Sequence, residues 1–103
     1  MPRWTLPALA DMRGILDYIA ADNSEAAQKV ACVVDAATQN LDTFPRMGKP
    51  GREPATRELV LDRVSLVVVY RPGPDGQAEV LRVLHERQFW PLRSPNPSTE
   101  EQS

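Results

Sequence analysis

The sequence predicts an α+β domain: a short N-terminal strand, an antiparallel two-helix hairpin, and a small antiparallel β-sheet on which the hairpin packs. Three observations carry that expectation. Apolar residues recur at helical spacing from Leu9 to Leu41. β-Branched residues concentrate in runs after Pro54. The length, 103 residues, suits one domain with a single modest core.

Trp4-Thr5-Leu6 is short and apolar and reads as a brief first strand. Pro7 then suits an early helical position, where its missing N–H costs nothing. Leu9, Met12, Leu16 and Ile19 form one helical face, widened by Ile15 and Tyr18. Asp22-Asn23-Ser24-Glu25 interrupts the pattern and restarts it, with Asn23 as the N-cap and Glu25 favourably placed in the first turn. Ala27, Val30, Val34, Ala37 and Leu41 make the cleanest helical stripe in the chain. The short junction between the two helices makes them antiparallel neighbours.

Phe44-Pro45 closes the second helix. From Pro45 to Pro54, three prolines and two glycines mark a loop that also carries Arg46, Lys49 and Arg52. Its glycines do not lead into a helix, so it offers no phosphate cradle, and it reads as a solvated connector, with a binding loop as the alternative. Arg57 to Leu61 is a short strand and Ser65 to Arg71 a stronger one. Pro72 to Gly76 is a turn, and Ala78 to His85 is the returning strand. The two long strands are apolar on both faces, which places them centrally. The hairpin covers one face of the sheet, and the other face is left for a partner or the C-terminal tail to cover.

Residues 1–91 are expected to form the domain and 92–103, rich in Ser, Pro and Glu, a flexible tail. The net charge of −2 hides an asymmetry: residues 1–45 carry −3, residues 46–93 carry +3 and the tail carries −2. So small a basic surplus is far from that of a protein whose affinity rests mainly on neutralising phosphates. Nucleic acid is expected only as a weak or indirect contact. No apolar run reaches membrane-spanning length and no secretory signal is visible, so a cytoplasmic location without membrane contact is expected. A single cysteine, Cys32, gives neither a disulfide nor a metal pattern. No cofactor is implied.

Several local strings in this order resemble the RelE/ParE toxin superfamily, and most of all its ParE branch. They are Ala10-Asp11-Met12 with Asp17-Tyr18-Ile19-Ala20, Asn23-Ser24-Glu25-Ala26-Ala27, Phe44-Pro45-Arg46-Met47-Gly48, Thr56-Arg57-Glu58-Leu59, Val69-Tyr70-Arg71 and Leu81-Arg82-Val83-Leu84-His85, followed by Trp90-Pro91. The resemblance implies the toxin of a plasmid-stabilisation type II toxin–antitoxin pair, neutralised by a ParD-like antitoxin. ParE-like members poison DNA gyrase. RelE-like members cleave messenger RNA on the ribosome.

The RelE-like chemistry needs a base, an acid and cations around the scissile phosphate. Cleaving members carry lysines on the strand corresponding to residues 57–61 and an arginine on the next strand. Glu58, Val60 and Val67 stand at those places in this chain. His85, with Phe89 and Trp90 near it, is the counterweight: it is the catalytic candidate if the protein is a ribonuclease, with Arg57, Arg71 or Arg82 steadying phosphate. Otherwise His85 caps the sheet or binds the antitoxin, Arg82 pairs with Glu58 or Glu79, and Phe89-Trp90 anchors a partner. The partner-binding candidates are therefore Arg57, Arg71, Arg82, His85, Arg87, Phe89 and Trp90. Poisoning of DNA gyrase is the expected activity, with ribosome-dependent mRNA cleavage, or antitoxin binding alone, as alternatives.

Overall fold

A computed structural model describes residues 2–86. The elements run β1 (Arg3–Trp4), α1 (Leu6–Ala20), α2 (Ser24–Gln39), β2 (Lys49–Pro50), β3 (Arg57–Leu61), β4 (Leu66–Pro72) and β5 (Ala78–His85). The sheet order is β1-β5-β4-β3-β2. All pairings are antiparallel except β1 with β5, so the sheet is mixed at one edge. Arg87, Phe89, Trp90 and the tail 92–103 lie outside the described residues.

Each helix starts on a side-chain cap. Thr5 Oγ1 accepts from the Ala8 amide, with Pro7 in the first turn, and Asn23 Oδ1 accepts from the Ala26 amide. The α2 stripe is as its spacing predicts: Ala27, Val34 and Leu41 are buried, with Val30 and Ala37 packed against the core. The α1 stripe is rotated from its predicted phase. Ala8, Met12 and Ile15 meet the core, whereas Leu9 is half exposed and Tyr18 lies in solvent. The reason is steric: α1 lies close over β5, and a methyl at Ala8, fully buried, fits where a leucine would not.

The hairpin covers the sheet face built by Trp4, Leu59, Leu61, Leu66, Val68, Tyr70, Ala78, Val80 and Val83. A register shift between Val69 and Tyr70 leaves Leu81 unpaired on β5 as a bulge. The bulge changes which residues face inward, from Ala78 and Val80 before it to Val83 and His85 after it. It therefore decides that Arg82 and Leu84 point to the far face.

That far face is not the uniformly oily surface expected from the strand composition. Register places three rows across it: Arg3–Glu79–Arg71, then Arg82–Val69–Glu58, then Leu84–Val67–Val60. Val67 and Leu84 are buried and Val60 is 37% exposed. Strand alternation gives this face the charged residues of β3 and β5, which a count of apolar residues along each strand does not reveal.

Candidate functional site

The loop read as a solvated connector is anchored from beneath by the sheet. Tyr70, fully buried on the central strand, donates its hydroxyl to the Pro45 carbonyl at 2.7 Å and accepts the Gly48 amide at 2.9 Å. Gly48 sits so close to the ring that a Cβ there would lie 2.8 Å from the phenol. Arg57 donates to the Gly48 carbonyl at 2.6 Å. Lys49 and Pro50 then pair with Glu58 and Arg57 as the edge strand β2. Glu58, a buried carboxylate, accepts the Arg52 amide at 3.2 Å.

At the opposite edge the first row is ionic. Glu79 takes Arg71 at 2.7 Å and Arg3 at 3.1 Å, and Arg3 also reaches Asp75 at 2.9 Å. The Arg71 hydrogen bond, aided by the charges of Arg71 and Arg3, holds the Glu79 carboxyl below its ordinary pKa against the opposing effect of desolvation. The Gln77 amide, with Arg3 behind it, does the same for Asp75. These charges tie β1 and the β4–β5 turn to the sheet.

Where β1 ends, α1 takes over the bare edge of β5. Thr5 donates its hydroxyl to the Val80 and Leu81 carbonyls at 3.0 and 3.1 Å. Asp11 accepts the Val83 amide at 3.0 Å. The same carboxylate holds Arg82 in a two-pronged contact of 2.6 and 3.0 Å, which raises the Arg82 pKa. The expected Arg82 partners, Glu58 and Glu79, are therefore replaced by Asp11. Sequence reading missed Asp11 because 71 positions separate it from Arg82, and the bulge that aims Arg82 outward leaves no clear local signal.

The catalytic candidates do not converge. His85 pairs with Leu66 in the ladder, on the helix-covered face, at the end of β5. Arg71 and Arg82 are on the far face, engaged by Glu79 and Asp11. Arg57 shares the face of His85 but pairs with Tyr70, four residues along β4 from Leu66, or roughly 13 Å at the usual strand rise. Among the described residues no group of three or more His, Cys, Asp or Glu side chains is placed to hold a metal ion. Cys32 is exposed on α2. No helix among the described residues is long and apolar enough to cross a membrane.

A hairpin over a sheet of this order has counterparts among known proteins. The family model described as the ParE toxin of the type II toxin–antitoxin system parDE matches residues 3–90. The protein Y4kP of Sinorhizobium fredii is 40% identical over 89 residues, covering 86% of this chain and 91% of that protein. Toxin RelE2 of Caulobacter vibrioides is 34% identical over 82 residues, covering 80% and 90%. A solved structure of the chromosomal ParDE system of P. aeruginosa matches with a TM-score of 0.71 at 26% identity, covering 81% of this chain and 91% of that one. The matches and the fold define the toxin half of a type II toxin–antitoxin pair. The chain belongs to the ParE toxin family, within the RelE/ParE superfamily. Membership implies a cognate antitoxin as its partner.

Proposed function

We propose that this toxin arrests growth by binding and poisoning DNA gyrase, and that a ParD-like antitoxin neutralises it in the cytoplasm. The observation that supports this reading is the dispersal of the cations. Cleaving RNA at a phosphate needs free positive charge around one general acid–base pair. Arg82 is engaged by Asp11, Arg71 by Glu79 and Arg57 by the Gly48 carbonyl. His85 faces away from the first two. Glu58, with its negative charge, stands where the resemblance puts a lysine in cleaving members. The case for the antitoxin rests on the family, since Val60 is the one large apolar side chain exposed on the far face among the described residues.

The second reading is ribosome-dependent cleavage of messenger RNA. It is supported by the similarity to the Caulobacter protein that carries the RelE2 name and by the histidine at the end of β5. One experiment separates the two. Purified toxin is added to gyrase in a supercoiling assay and, in parallel, to translating ribosomes. Inhibited supercoiling with trapped, cleaved DNA supports the first reading. Cut transcripts without gyrase inhibition overturn it.

A further inference from the structure

We propose that residues 44–52 form a pre-shaped docking loop for an acidic protein surface on the toxin's target, with Phe44 and Met47 as apolar anchors and Arg46 and Lys49 as the surrounding charges. The target's identity as gyrase rests on the reading above; the role of the loop does not.

Two observations conflict with a plain connector. First, the loop displays what connectors usually hide. Phe44 is 60% exposed and Met47 45% exposed, and the cations beside them are exposed as well. Among the described residues, none of these four side chains has a hydrogen bond or ion pair. Second, the loop is held rigidly. A buried tyrosine spends both hydrogen bonds of its hydroxyl on Pro45 and Gly48. Arg57 spends a 2.6 Å bond on the Gly48 carbonyl. Backbone bonds from Phe44 to Asn40 and from Met47 to Phe44 close the turn before it, and β2 clamps its far end to β3.

Rigidity with exposed apolar side chains is what association with a folded partner needs, because the ordering cost has been met during folding. Aromatic, methionine and arginine side chains are enriched at interface cores. The positive charges select an acidic surface and speed encounter with it. A protein fits better than a nucleic acid. Two cations around an apolar centre neutralise few phosphates, and the chain as a whole carries −2.

Two double variants test the proposal: Arg46→Glu with Lys49→Glu, and Phe44→Ser with Met47→Ser. All four side chains are exposed, and thermal melting verifies folding. A milder pair, Arg46→Gln with Lys49→Gln, stands in if charge reversal disturbs it. Growth arrest on induction and supercoiling inhibition with purified gyrase are measured for each. The expected result is that both charge and apolar variants lose at least tenfold in potency while melting like the wild type. Arrest at wild-type level in folded variants overturns the loop's role. Loss on charge reversal alone, with the apolar pair fully active, points to a nucleic acid and overturns the protein partner. Undiminished arrest that the co-expressed antitoxin no longer relieves assigns the loop to the antitoxin and overturns its role toward the target. If wild-type toxin leaves gyrase untouched, the gyrase reading fails, and the loop is judged on growth arrest.

Discussion

The Tyr70 hydroxyl lies 2.9 Å from the Gly48 amide nitrogen, so a residue at the centre of the sheet fixes a glycine 22 positions earlier in an otherwise exposed loop. The same oxygen donates to Pro45. Strand β4 thus shapes the loop as well as filling the core.

Replacing Tyr70 with phenylalanine keeps the ring and strands two backbone groups. The expected loss is about 1–3 kcal/mol, read as a lower urea midpoint with an unchanged slope. Cleavage by trypsin after Arg46 should speed up, because that bond lies in the released loop. Gly48→Ala should cost more than Tyr70→Phe, since a Cβ would also lie 2.9 Å from the Glu58 carbonyl, a backbone atom with little room to yield.

Asp11 and Arg82 are partners of unequal worth. Arg82→Ala removes a half-exposed guanidinium and should cost under about 1 kcal/mol, as exposed ion pairs do. Asp11→Ala also strips the Val83 amide of its acceptor at an edge that no strand covers, and should cost about 1–3 kcal/mol. Denaturant unfolding of both single variants and the double variant checks the inequality. Equal losses would mean that the carboxylate matters only as a counter-ion.

Acid should loosen the β1 edge. Glu79 and Asp75 have folded-state pKa values below their ordinary ones, so the unfolded chain binds their protons more readily. Their contribution is complete above the ordinary carboxylate range of about 4 and is lost as pH falls through the lowered folded values. Glu79→Gln should flatten the fall in stability between about pH 5 and 3 relative to wild type. A melting-temperature series across that range measures it. Parallel curves for the two proteins would exclude Glu79 as a source of acid sensitivity.

The elements with local causes were legible in the sequence. The α2 stripe, the Asn23 cap and the bounds of β3 and β5 follow from spacing and turn residues, and the structure has them at those positions. What escaped depends on contacts between distant segments. The phase of α1 is set by how closely Ala8 approaches β5. The edge strand β2 holds only Lys49 and Pro50 and exists because β3 offers an edge to pair with. The bulge at Leu81 puts Arg82 on the far face beside Glu79, and strand alternation after it puts His85 on the helix-covered face, which separates residues that a reading along the strand groups as one site. The family strings were legible in order, yet the partners that bind them together, Tyr70 to the Phe44–Gly48 string and Asp11 to the Arg82 string, emerge only in three dimensions.

His85 gives the sharpest functional test. It lies on the helix-covered face beside Leu66, half buried, away from Arg71 and Arg82. The expected role of a histidine so placed is to end the sheet rather than to transfer a proton to RNA. His85→Gln, which keeps a polar side chain of similar reach, should arrest growth within about threefold of wild type, whereas loss of a general acid or base typically costs 10²–10⁴-fold. The measurement is colony-forming units after induction, paired with transcript integrity on translating ribosomes. A folded His85→Gln protein that spares both growth and transcripts would make the histidine catalytic and return the toxin to the mRNA-cleaving reading.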